Sequence, residues 1–225
     1  MLKVGLTGGI ASGKSAVGEM FVALGARLVQ ADRIAHSLML PGEPVYNEVV
    51  RHFGREILNP NLSVNRAKLA ELAFGPAGGP EQHRALRIEE LNRIVHPAVI
   101  RSQDEWMNEM GRQDRHAVAI VEAALILEAG VGDRFDRIVV VTCGAEQRAE
   151  RFAARQKIDL ESARKEVARR MAAQLPDEEK IKAADFVIDN SGPLENTRGQ
   201  VQRVWPQLSG EAEKSQEISD LWPHP

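Results

Sequence analysis

Short apolar runs punctuate the chain, and between them apolar positions recur at helical spacing. Leu2 to Leu6 is brief, apolar and bounded by glycine, which predicts a buried strand. Beyond Lys14, the positions Val17, Met20, Phe21 and Leu24 lie on one helical face, and Gly25 sits where a helix C-terminal glycine is expected. Ala26 to Asp32 reads as a second strand. Strand, Gly-rich turn, helix and strand make a βαβ unit, whose strands run parallel with a right-handed crossover. Three later runs, Ala117 to Val121, Arg137 to Thr142 and Phe186 to Asp189, are rich in Val and Ile and do not alternate. Parallel strands covered on both faces have that character. The prediction is an α/β fold with a doubly wound five-stranded parallel sheet.

The polar stretches set the organisation. From Ile34 to His116 helical patterns are broken by "PGEP" and "GPAGGP", a span too long for a loop. It predicts a helical insertion, 34–116, over the strand ends. A second helical block, 146–184, carries an apolar stripe of Leu160, Ala163, Val167 and Met171, with Arg164, Lys165, Arg169 and Arg170 off it. The core is then assigned to 1–33, 117–145 and 185–208. The stretch 209–225 is polar, lacks a clear stripe and ends in prolines, which predicts a disordered tail. His96-Pro97 reads by default as a helix-starting turn.

Composition narrows the classes. The 225 residues carry 29 basic and 32 acidic side chains, a formal charge of −3. That balance gives no push toward nucleic acid or an anionic membrane. One cysteine, Cys143, excludes an internal disulfide and most simply fills space in or beside the core. There is no apolar run of about 20 residues and no signal-peptide pattern at the N-terminus, so a cytoplasmic protein is expected.

The chemistry begins at Gly8-Gly9-Ile10-Ala11-Ser12-Gly13-Lys14-Ser15, a complete G-x-x-x-x-G-K-[ST] phosphate loop after a predicted strand and opening a predicted helix. Its glycines let successive N–H groups turn toward phosphate oxygens, and the helix start at Lys14-Ser15-Ala16 adds a positive dipole end. Lys14 can reach the β- and γ-phosphates of a bound nucleotide, and Ser15 can offer a hydroxyl to Mg2+. Asp32 closes the second strand; its position alone fits a base that accepts a hydroxyl proton and equally a helix N-cap. Glu122 follows the third strand, where a phosphate-loop protein often keeps an acid near Mg2+ or its waters, and Glu128 stands further on; a solvated surface acid is the competing reading. Arg151 and Arg155, four apart, project from one face as candidate lid groups; Arg148 can join them, though most arginines here read as a solvated face. Asn190, in "DNSG" after the last strand, fits either a base contact or an Asx turn. A GTPase would show D-x-x-G after the third strand and N-K-x-D later; neither is present.

In order, "GLTGGIASGKS", "ADRIAH", "NRAKLAELAF", "NRIVHPAVI", "ERFAAR" and "AADFVIDNSG" resemble the dephospho-CoA kinase family, over about Leu2 to Val204. The resemblance implies a P-loop kinase with a nucleotide-binding core, a helical CoA domain and a lid. It implies transfer of the ATP γ-phosphoryl to the ribose 3′-hydroxyl of dephospho-CoA; the alternative on the same core is another nucleoside-monophosphate or small-metabolite kinase. It implies Asp32 as catalytic base, Lys14, Ser15, Arg151 and Arg155 in their phosphate, Mg2+ and lid roles, Asn190 near adenine, and Thr7 and His96 on the acceptor side. The sequence departs from the family in three places. Gln30 stands where many relatives have an Asp, and Ala124 where a proline is common. The lid is longer by about one helical turn.

Overall fold

The computed structural model describes the backbone of residues 1–74 and 81–221, and the side chains of 1–73 and 87–214. In chain order the elements are β1 (Leu2–Gly8), α1 (Lys14–Ala23), β2 (Arg27–Gln30), α2 (Ala31–Leu38), α3 (Pro44–Phe53), α4 (Arg66–Phe74), α5 (Glu81–Gln113), β3 (Val118–Glu122), β4 (Arg137–Thr142), α6 (Ala145–Gln156), α7 (Leu160–Ala172), α8 (Asp177–Lys182), β5 (Phe186–Asp189) and α9 (Leu194–Leu221). The chain divides into two compact units, one of Met1–Gln30 with Met107 onward, the other Ala31–Trp106.

The first unit is built on a five-stranded parallel sheet of order β2-β3-β1-β4-β5. β1 sits centrally because it is apolar on both faces. Leu2, Val4 and Leu6 join Val118, Ile120, Val139, Val141 and Ile188 against Val17 and Phe21 of α1 and Val201, Val204 and Leu208 of α9. On the opposite face Gly5 lies against Ile126, Phe135 and Ile138. β1 has β3 on one side and β4 on the other, so the chain reverses its winding direction beside it. In such sheets ligands bind outside the carboxyl ends of the strands at this switch point. Strand pairing sets Gln30 opposite Glu122, and Glu122 opposite Leu6, in one row at that end.

Three expectations change at the element ends. β2 stops at Gln30, so Asp32 belongs to the first turn of α2 rather than to a strand end or an N-cap. Glu122 is the last residue of β3, not the residue after it. The stretch from 209 is helical: α9 runs on to Leu221, because Ala212, one turn beyond Leu208, is fully buried and extends its apolar stripe. Residues 222–225 lie outside the described residues.

The second unit is helical, beginning at Ala31 and ending at Trp106 rather than at 34 and 116. Its core gathers Val45, Val49 and Phe53 of α3, Ile57, Leu69 of α4, and Val95, Ala98 and Val99 of α5. His96-Pro97 starts no helix; Pro97 lies inside α5. Proline lacks the N–H for one helical bond, and the buried neighbours Val95, Ala98 and Val99 hold the helix through it. "PGEP" is a turn that leads into α3, whereas "GPAGGP" lies outside the described residues. Among the described residues no helix is long and apolar enough to cross a membrane.

Candidate active site

The loop between β1 and α1 turns on unusual backbone. Gly13, at φ 94°, is the N-cap of α1 and offers no side-chain cap, so the first N–H groups of the helix keep no capping side chain. Those orphan donors and the helix dipole make an anion site. A Cβ at position 13 would strike the Asn190 amide, so that residue is glycine for space as well as for φ. Lys14 Nζ donates to the carbonyls of Gly8 (2.9 Å) and Gly9 (3.0 Å) and is thus held along the loop. Ala16 is exposed on the first turn, whereas Ile10 is buried with Phe152, Ala163 and Val167, which ties the loop to α6 and α7.

One acid, Glu122, and one arginine, Arg151, bond to this loop. Ser15 Oγ donates to Glu122 Oε1 at 2.6 Å, and Gln30 Nε2 donates to Glu122 Oε2 at 2.7 Å. A serine that donates its proton keeps its lone pairs for a cation. Thr7 is fully buried, and its hydroxyl donates to the Ala124 carbonyl at 3.2 Å. Arg151 Nη2 donates to the Asn190 carbonyl (2.9 Å), and Nη1 to the Ser12 carbonyl (3.4 Å) and to Cys143 Sγ (3.2 Å). Arg155 is exposed, with its guanidinium carbon 5.6 Å from the centre of the Phe152 ring. Burial pushes the Cys143 thiol pKa up; Arg151 and Arg148 pull it the other way.

Asn190 works inside the protein. Its Nδ2 donates to the Ser12 carbonyl (2.8 Å), its Oδ1 accepts from Thr197 Oγ1 (2.9 Å), and it is 3% exposed. The neighbouring Asp189 side chain accepts from the Ser191 N–H (2.9 Å), so the Asx turn is formed as well. Asp32 and His96 belong to the second unit, where both are exposed.

Two buried ion pairs were not legible in the sequence. Arg148 is fully buried, donating from Nε to the Cys143 carbonyl (2.8 Å) and pairing with Asp177 through Nη2. Its Nη1 packs on Gly9, where a Cβ would collide with it. Lys180, also fully buried, pairs with Glu128 at 2.8 Å. One signal for Arg148 exists: with Ala149 and Phe152 it forms the buried face of α6. Lys180 sits in a short charged helix that gives no such clue. The remaining arginines of this block do pair on the surface, Arg164 with Glu146, and Arg169 and Arg170 with Glu166.

The profile of the dephospho-CoA kinase family matches residues 2–196. The chain belongs to the dephospho-CoA kinase family. It is 38% identical to the dephospho-CoA kinase of Corynebacterium efficiens, across 91% of this chain and 96% of that one. It is 40% identical to that of Geobacter metallireducens, again across 91% and 96%. A solved protein from Thermus thermophilus, 30% identical, superposes with a TM-score of 0.72 over 92% of this chain and 97% of its own. The dephospho-CoA kinase of Campylobacter jejuni, at 23% identity and a TM-score of 0.59 over 92% and 97%, shares the fold.

Proposed function

We propose that this chain transfers the γ-phosphoryl of ATP to the ribose 3′-hydroxyl of dephospho-CoA, giving CoA and ADP in the cytoplasm. The observation that carries this is a complete phosphate loop, with Ser15 bonded to Glu122, in a chain whose residues 2–196 match that family. A new P–O bond forms to the 3′-oxygen as the bond from the γ-phosphorus to its bridging oxygen breaks. The hydroxyl proton passes to Asp32, in the first turn of α2, and then to water. Lys14 and the loop N–H groups hold the phosphates, Arg151 neutralises charge on the transferring group, and Arg155 joins it from the lid. Arg151 is already anchored to the loop at the Ser12 carbonyl, so its charge stays close. Thr7 and His96 are assigned to the acceptor side and Asn190 to the nucleotide side, where it holds the phosphate loop at Ser12.

A magnesium ion fits this site: a hydroxyl and a carboxylate, Ser15 and Glu122, stand side by side at the loop, and Mg2+ is commonly held by one or two protein groups, waters and substrate phosphates. Ser15 would hold it directly and Glu122 through water. When bound with ATP, such an ion neutralises phosphate charge.

The test is ADP release with ATP and Mg2+, offering dephospho-CoA, AMP, CMP, adenosine and shikimate separately. Acceleration by dephospho-CoA alone, with the new phosphate on the 3′ position, is expected; acceleration by AMP or CMP alone overturns the assignment. Asp32→Asn should lower kcat about 10²–10⁴-fold, with little change in ATP affinity. Near-normal turnover would return Asp32 to a purely helix-terminal role.

A further inference from the structure

Gln30 is the last residue of β2, directly opposite Glu122 in the strand pairing, so both side chains leave the same end of the sheet. The Glu122 carboxylate is held at both oxygens: Ser15 Oγ donates to Oε1 at 2.6 Å and Gln30 Nε2 to Oε2 at 2.7 Å. Glu122 itself is 8% exposed, so few other partners reach it. A carboxylate fixed by only one of these bonds would keep a rotation about its terminal torsion, which is broad for Glu. Gln30 removes that freedom. It also does so without charge, because an amide can donate where a second acid would repel.

From this we infer that Gln30 is a positioning residue for the cation that accompanies ATP: it aligns Glu122 toward Ser15, and its neutrality keeps one carboxylate, not two, at this corner. The inference rests on the kinase reading above. It assigns Gln30 no contact with substrate. The bond it makes is to a charged group, the stronger kind, and its loss is felt only where Glu122 must face the cation. Neutrality has a separate consequence. Two carboxylates side by side repel, and a divalent ion between them relieves the repulsion, so an acid at position 30 would couple folding to metal.

The experiment measures ATP affinity twice, once with Mg2+ and once in EDTA, on the full chain. Gln30→Met keeps length and removes the donor. It should weaken Mg·ATP binding on the order of tenfold and leave ATP binding in EDTA within about twofold of wild type. Equal loss in both conditions, or no loss in either, overturns the positioning role. Gln30→Glu is the second variant, read without nucleotide or turnover. Its Tm should fall in EDTA and recover in excess Mg2+ or Mn2+ by more than the wild type gains; a metal-independent Tm overturns the charge argument. Wild-type phosphorylation of dephospho-CoA separates the two readings: its absence defeats the function, whereas its presence with an unmoved Mg2+/EDTA ratio in Gln30→Met defeats this inference.

Discussion

Asn190→Asp is the most informative single change at the loop. The two side chains are nearly the same size, so packing is preserved and only hydrogen bonding changes. In the wild type Nδ2 donates to the Ser12 carbonyl at 2.8 Å and Oδ1 accepts from Thr197 at 2.9 Å, both in a buried setting. An aspartate keeps the Thr197 bond but turns an acceptor toward the Ser12 carbonyl, which is left with only the longer bond from Arg151 Nη1 at 3.4 Å. A buried group stranded in this way costs about 1–3 kcal/mol. The new charge, at a residue 3% exposed, adds to that. A total of about 2–4 kcal/mol is expected, or a Tm lower by roughly 5–15 °C for a chain of this size. Ser12 lies in the phosphate loop, so ATP affinity should fall in parallel. Thermal melts with and without ATP, on Asn190→Asp, Thr197→Val and the double variant, decide the matter. If Asn190→Asp melts within about 1 °C of wild type, the Asn190–Ser12 bond is not what shapes the loop.

Lys180→Met should destabilise by about 3–5 kcal/mol in chemical denaturation, because it leaves the Glu128 carboxylate without its counter-charge and with only the Leu175 N–H at 3.2 Å, and adding Glu128→Gln should recover much of the loss. The Arg169 hydrogen bond, followed by the Arg170 pair, draws the Glu166 pKa from 4.5 to about 2 against the desolvation that raises it. A lowered acid pKa stabilises the fold fully above the unfolded value and less as pH falls toward the folded one. The difference in unfolding free energy between wild type and Glu166→Gln should therefore be steady above about pH 4.5, shrink toward pH 2, and stay under about 1 kcal/mol throughout, since both arginine partners are largely exposed. Iodoacetamide should label Cys143 in the native protein at least about tenfold more slowly than a free thiol at pH 8, because burial raises its pKa and blocks access; denaturant should remove the difference.

What could be read from the sequence was what repeats or what needs a fixed spacing. The strands at Arg137–Thr142 and Phe186–Asp189 stand where their Val-Ile runs put them; β4 is apolar along its length because it is covered on both faces, whereas the edge strand β5 buries Ile188 and leaves Val187 exposed. The phosphate loop was legible because each position answers a backbone or phosphate requirement. Arg148, Asp177, Glu128 and Lys180 were not, because a charged side chain looks solvated until a partner from a distant segment is known. Pro97 misled through its usual role: only the burial of Val95, Ala98 and Val99 around it shows that packing outweighs one lost helical bond. The helix beyond Leu208 was hidden for the opposite reason, since among the described side chains its apolar stripe continues on a small residue, Ala212.

The packing of Arg148 on Gly9 constrains the order in which this chain can change. An alanine at position 9 meets the guanidinium at once. A shorter residue at 148 placed first leaves Asp177 without its partner. Each single step disturbs a contact that Arg148 makes, and residues so coupled do not add. Positions 9, 148 and 177, one on the loop, one on α6 and one on α8, therefore travel as a set: a variant library that samples them singly would score each as intolerant, while a library that varies all three together would find the sequences that single steps cannot reach.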